Sequence, residues 1–342
     1  MAASLALIGG PMWGADGNIV MAQPAPPASM LGIVCAIGAA ISFSLNDLGI
    51  KALSGDYPLH QVVLVRASIG LLFTMALFMP LEGGYHNLKT NRLRLHLLRG
   101  LFVVFANLMF FLGLAAISLP EATAIFFVSP MIITLFSVIF LGETVGPQRW
   151  AAVAIGLVGT LIMLRPTPEA FQWAALFPLC AAVGYAALHT LTRRMGVTEK
   201  ASTMAFYIQF VFVIVSACMG LAFGDGRLSG SDDPSWEFLF RPWVWPQSND
   251  LMIMVGVGIA SATGGYLISQ AYRVAAAAVI APFEYIALVL AIFWGITLFN
   301  EFPDQVAWMG IALILFGGLF LIWREAIKNR TQLGRRRLFR FR

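Results

Sequence analysis

The chain has 342 residues, 59% of them hydrophobic and 11% charged, with a net charge of +5 and a mean hydropathy of +0.81. A soluble domain carries roughly 25% charged residues, so this composition cannot coat a surface that faces water, and it excludes an ordinary soluble enzyme. The basic excess is not a nucleic-acid signature, because it collects in particular connections and at the C-terminus.

Residues 1–29 fit neither a spanning helix nor a signal peptide. They contain no Lys or Arg, and a secretory signal needs a positive n-region. The Pro/Ala-rich stretch AQPAPPAS is expected to be disordered, and Met21 or Met30 is an alternative start. A membrane-crossing helix needs about 20 apolar residues. Ten such runs follow, near 30–52, 60–80, 97–118, 120–141 and 148–165, then 171–193, 201–224, 250–272, 276–299 and 305–324. The runs are continuous rather than alternating, and a helix satisfies its own backbone donors and acceptors in lipid. The expected fold is therefore an all-α integral membrane protein with ten transmembrane helices. The longest connection, 225–249, holds Asp232, Asp233, Trp236, Trp243 and Trp245 and reads as an interfacial loop. Cys35, Cys180 and Cys218 fall inside apolar runs with no CxxC, so neither a disulfide framework nor a metal site is expected.

Orientation follows from charge. With both termini cytoplasmic, seventeen of the 22 Lys and Arg residues fall on the inner side, including Lys89, Arg92, Arg194, Arg273 and the eight from Arg324 to Arg342, while Arg66 lies within a run. Only Lys51, Arg165, Arg227 and Arg241 fall outside, which is the positive-inside pattern. The basic tail 327–342 ends in GRRRLFRFR. It reads as a topology anchor, or as a clamp on anionic lipid.

The two halves repeat. Glu143, Trp150 and Gly159 stand at the same spacings as Glu301, Trp308 and Gly317, and Asp47 and Lys51 are four apart, like His189 and Arg193. Pro130 and Pro282 interrupt the fourth and ninth runs, although the distance to the following glutamate differs between them. Five spans per half is odd, so the second half must enter the membrane inverted. Two inverted five-helix repeats, 30–166 and 167–326, are a plan for alternating access around a midplane site.

Embedded polar groups are the functional candidates, because they are costly in lipid. Glu284 lies about midway along the ninth run, two residues after Pro282, where it could hold a cation or a proton. Tyr285 adds a ring and a hydroxyl. Asn107, Tyr185, Gln209 and Gln270 could recognise substrate, or tie helices together. Asp47 and Arg66, near the outer ends of the first two runs, are candidates for an ion pair or an outer gate. His189 takes the mirror position near the inside and could respond to protons. No GxxxxGK[ST] loop and no HExxH occurs. No catalytic residue, cofactor or nucleic-acid partner is expected, and a homodimer is left open.

The stretches LPEATAIFFVSPMIITLFSVIFLGE, RWAAVAIGLVGTLIMLRP and APFEYIALVLAIFWGITLFNEFPD resemble the EamA-type transporters of the drug/metabolite transporter superfamily. The resemblance covers about residues 30–326. It rests on Arg99, Glu121, Pro130, Glu143, Arg149, Trp150 and Pro166, and in the second half on Pro282, Phe283, Glu284, Tyr285, Gly295, Glu301 and Pro303. It implies ten helices, inverted repeats, cytoplasmic termini, a central cavity and a bacterial inner-membrane carrier. The PFEY segment looks like branches for riboflavin or S-adenosylmethionine uptake and like amino-acid or metabolite exporters. Asn300 before Glu301, where the first half has Gly142 before Glu143, is a departure. The expected function is secondary transport of a small organic metabolite, with substrate and direction open. The alternative is a non-transporting membrane helper subunit or a lipid-modifying enzyme, neither of which needs two inverted halves.

Overall fold

The computed structural model describes residues 12–13, 19–20, 30–90, 92–142, 145–165, 172–195, 200–274, 280 and 283–338. Glu143, Pro166 and Pro282 lie outside them, as do most of 1–29, the end of the tail and the boundary expected at 166/167. Two short strands, β1 (Met12–Trp13) and β2 (Ile19–Val20), pair antiparallel. Everything else that is regular among the described residues is helical.

The first five helices follow the apolar runs closely. α1 is Met30–Leu53. α2 starts as Leu59–Phe73 and continues through a π-helical turn, Thr74–Phe78, into Met79–Leu81. Pro80 has no N–H to give the preceding turn, and a π-bulge is a common way to absorb that loss. α3 is Leu93–Ala116. α4 comes in two pieces, Leu119–Phe126 and Ser129–Leu141. Ser118 caps the first piece by accepting from the Glu121 N–H at 3.3 Å. The second starts with Pro130 in its first turn, where a missing N–H costs least. α5 is Pro147–Leu164.

In the second half, α6 is Leu176–Met195, α7 is Ala201–Phe223 and α8 is Ser248–Val274. α9 is Ile286–Phe299 and α10 is Gln305–Leu338. Two details depart from expectation. The 225–249 connection is not all loop: it carries a short helix, Pro234–Phe240, capped by Asp233, which accepts from the Trp236 N–H at 2.9 Å. α10 runs past 324 to Leu338, so much of the tail is helical. Glu284 ends a short helical stretch, 283–284, and Tyr285 is the turn residue between it and α9.

Among the described residues, seven helices are long and apolar enough to cross a membrane, and Trp150–Leu164, Ile286–Phe299 and Gln305–Phe320 are shorter apolar helices. Their outer faces carry large exposed apolar side chains, among them Leu72, Phe140, Leu221, Met252 and Phe316. A soluble monomer rarely shows so much contiguous apolar surface; lipid accepts it. This is an integral membrane protein.

The main helix seams are α1 with α8, α3 with α6, α2 with α7 and α8, α3 with α7, and α5 with α10. A further substantial seam joins α4 to α6, and smaller ones join α1 to α9 and α4 to α9. The α5–α10 crossing is backbone against backbone. A Cβ on Gly159 would stand 3.0 Å from the Gly310 carbonyl oxygen, and one on Gly310 would stand 3.0 Å from that of Gly159. Small residues are how helices approach closely in lipid, where burial of apolar surface supplies no drive.

Candidate functional site

The break in α4 falls at Phe127 and Val128, just before Ser129 and Pro130. The Pro130 carbonyl accepts from Thr134 Oγ1 at 3.0 Å. The turn ahead of α9 is Tyr285, with the helical Glu284 directly before it. The two interruptions meet: the rings of Phe127 and Tyr285 lie 4.8 Å apart. Phe126 faces the other way, onto Phe110 at 5.4 Å and Tyr185 at 5.2 Å. Tyr185 continues to His189 at 4.3 Å, one turn along α6. The half-buried Glu284 carboxylate acts electrostatically on both Tyr185 and Tyr285. Glu284, Tyr285, Tyr185 and His189, four of the residues singled out from sequence, are thus gathered around one pair of phenylalanines.

Tyr285 is tightly seated. It is 4% exposed, and its hydroxyl is buried with no hydrogen-bond partner. It fits only because position 318 on α10 is glycine: a Cβ there would lie 1.7 Å from the hydroxyl oxygen.

A second polar group lies between α1, α2 and α3. Arg66 is 1% exposed. Its guanidinium donates to Asn46 Oδ1 at 3.2 Å and to Asn107 Oδ1 at 3.4 Å. It also stands over the rings of Phe111 and Phe212, at 5.5 and 4.7 Å. Asp47 accepts from Asn46 Nδ2 at 2.9 Å. The expected Asp47–Arg66 pair is therefore relayed through the Asn46 amide, and Arg66 sits two turns inside α2 rather than at its outer end. Phe111 touches Phe110, so a run of rings links this group to Phe126 and the first.

Gln209 and Gln270 are placed elsewhere. Gln209 lies in the α2–α7–α8 seam, with its amide 2.9 Å from where a Cβ on Gly70 would be and 3.4 Å from Ser261 Oγ. Gln270 donates to Glu82 Oε1 at 2.6 Å and to Tyr266 at 2.8 Å. Glu82 Oε2 also accepts from the backbone N–H and hydroxyl of Ser202. Both glutamines tie helices together in these contacts.

At the end of the bundle that carries the 300–304 connection is a polar recess of about 420 Å³. It is lined in part by Ser118, Glu121, Arg165, Gln172, Glu301 and Asp304. Beside it Lys51 Nζ pairs with Glu301 Oε1 at 2.6 Å, and Arg165 pairs with Asp304 at 2.5 Å. Sequence reading had Lys51 and Glu301 only as parts of a repeat. Their partnership joins residues 250 positions apart, which no local spacing reveals. The phenylalanines at the α4 break were equally hidden among the 27 of the chain. Among the described residues no cluster of His, Cys, Asp and Glu could hold a metal.

The model of the EamA-like transporter family matches residues 30–165. Residues 30–165 form an EamA-like domain. Similarity continues past this EamA-like domain through the second half. The riboflavin transporter of Rhizobium johnstonii is 27% identical over 317 residues, covering 92% of this chain and 98% of that protein. The S-adenosylmethionine uptake transporter of Rickettsia prowazekii is 26% identical over 296 residues, 86% of this chain and 93% of that one. The pseudopaline exporter of Pseudomonas aeruginosa is 23% identical over 304 residues, 89% and 97% of the two chains. One crystal structure, of a chain 20% identical, superposes with a TM-score of 0.57 over 86% of this chain and 96% of its own. At that identity the match speaks for the fold.

Proposed function

We propose that this chain is a secondary carrier of a small organic metabolite, working by alternating access between two inverted halves, α1–α5 and α6–α10. One observation carries the reading: the main helix seams are preserved when each helix is exchanged for the one five places on. The α1–α8 seam becomes α6–α3, α2–α8 becomes α7–α3, and α1–α9 becomes α6–α4, while α2–α7, α4–α9 and α5–α10 map onto themselves. Inverted repeats give a carrier two equivalent ways to pack, one open to each side.

The contact of the α4 break with the turn before α9 supports a substrate site there. Interrupted helices at matching places in two halves are where carriers of this plan bind their cargo. Glu284, Tyr285, Tyr185 and His189 would contact substrate or carry coupling protons. Asp47, Arg66 and Asn107 would respond to its passage, and Gln209 and Gln270 hold the seams that move. The relatives named for riboflavin and S-adenosylmethionine carry molecules with a planar heteroaromatic ring system. Rings such as Phe126, Phe127 and Tyr185 suit that shape by stacking, so a metabolite of this class is the expected cargo. The positive-inside pattern supports a bacterial inner-membrane protein with both termini in the cytoplasm.

Purified protein in liposomes, offered riboflavin, S-adenosylmethionine and amino acids with and without a pH gradient, tests this. Saturable uptake or exchange of one compound is expected. Impermeability to the whole panel in both directions would remove the reading.

A further inference from the structure

We propose that Lys51 and Glu301 form a latch that closes the substrate path at the face carrying the 54–58, 117–118 and 300–304 connections. The inference rests on the carrier reading and adds the gate to it. Lys51 stands in the last turn of α1. Besides Glu301 Oε1 at 2.6 Å, its ammonium group donates to the carbonyls of Ile117 at 3.0 Å and Leu114 at 3.5 Å. Those carbonyls form the C-terminal end of α3, where a helix dipole favours a cation. The other oxygen of Glu301 accepts from the Leu119 N–H at 2.9 Å. That N–H opens α4, where the dipole favours an anion. The pair thus spans the α3–α4 turn with each charge on the helix end of opposite sign. It pins α1 and the α9–α10 connection, one from each half, onto a single corner.

The position matches a gate. The polar recess lies on this side, with Glu301 and Glu121 in its wall, and the Glu121 charge also acts on Lys51. Ile125 lines the recess too, is buried, and precedes Phe126 of the ring cluster. The recess wall thus reaches from Glu301 of the latch to the residue next to the ring cluster. The energetics match as well. The Lys51 and Glu301 side chains are 10% and 24% exposed. A pair withdrawn from water this far sits near break-even between Coulomb attraction and lost hydration, which makes it weak glue but a good switch. Parting it into a water-filled recess returns the hydration, so a modest bias from bound substrate moves the equilibrium.

The test is labelling of a cysteine placed at Ile125, in a chain with Cys35, Cys180 and Cys218 changed to Ser, by a membrane-impermeant thiol reagent added from the recess side. Glu301→Gln keeps an acceptor for the Leu119 N–H but removes the charge, and Lys51→Met keeps the length of the side chain. Each is expected to raise the labelling rate about tenfold, whereas Lys51→Arg, which keeps a cation on the α3 carbonyls, is expected to stay close to the parent. Equal rates in the parent, Glu301→Gln and Lys51→Met, each monodisperse in detergent, would overturn the latch. Labelling does not depend on flux. A parent that carries nothing while its variants label faster would keep the latch motion and remove the carrier reading. Saturable flux with unchanged labelling would do the reverse.

Discussion

Glu284 is the costliest group near the ring cluster, a carboxylate beside two tyrosines and an interrupted helix. Changing it to Gln keeps its shape and hydrogen-bonding capacity while removing the charge. Transport by Glu284→Gln is expected to be abolished, or to lose its pH dependence, while the protein stays inserted and monodisperse. Wild-type uptake with a wild-type pH profile in liposomes would contradict that role. Tyr285 permits a sharper test at the same scale. Its hydroxyl occupies the space a side chain at 318 would need. Gly318→Ala is therefore expected to cost about 1–3 kcal/mol through overpacking. Gly318→Ala with Tyr285→Phe, which deletes the nearer of two colliding atoms and leaves Cζ at 2.6 Å, should recover part of the loss. Thermal unfolding of the two variants in one detergent measures the difference.

At the scale of elements, the ends of helices decide most. α4 and α9 finish at Gly142 and Asn300, both left-handed with φ of 65° and 56°. Asn is among the few residues with a side chain that enter this region readily, so Gly142 and Asn300 end their helices in one backbone geometry. α10 begins at Asp304, whose carboxylate accepts from the Ala307 N–H at 2.8 Å. That bond, and then Arg165, holds the carboxyl below its ordinary range. A depressed folded pKa means the unfolded chain takes up the proton first. The stabilisation is thus complete above the ordinary carboxylate pKa and lost as pH falls through the folded one. Asp304→Ala is expected to cost about 1 kcal/mol at neutral pH as a lost cap. The Arg165 contact adds little, because the carboxylate side chain is 53% exposed. The gap between wild-type and variant melting temperatures should close in acid; a gap that persists there would assign the effect to packing.

For the whole molecule, the positive-inside pattern makes a topological prediction. A fluorescent protein fused after Arg342 should mature and glow in the cytoplasm, whereas a periplasm-dependent phosphatase at the same place should stay inactive. The opposite result would turn the molecule over and move the Lys51–Glu301 face to the cytoplasm. The seam pattern makes another. Gly159 and Gly310 meet backbone to backbone at the α5–α10 crossing, and exchange of halves maps that crossing onto itself. Gly159→Leu should force the two helices apart, and it is expected to lower thermal stability and transport together.

Hydropathy runs placed the helical segments to within a few residues, from Met30 to Val274, because lipid imposes one requirement on every span and leaves it written in composition. Charge asymmetry likewise proposes an orientation, since it acts on each connection separately. The spacing of Glu143, Trp150 and Gly159 against Glu301, Trp308 and Gly317 pointed to a repeat without any contact being known. What sequence could not supply was partnership. That Arg66 reaches Asn46 and Asn107 rather than Asp47, that Gln209 and Gln270 sit in helix seams, and that Lys51 meets Glu301 all depend on how distant helices cross. Such pairings belong to no local pattern: a side chain four residues from another is fixed by helix geometry, but one 250 residues away is fixed only when the bundle closes.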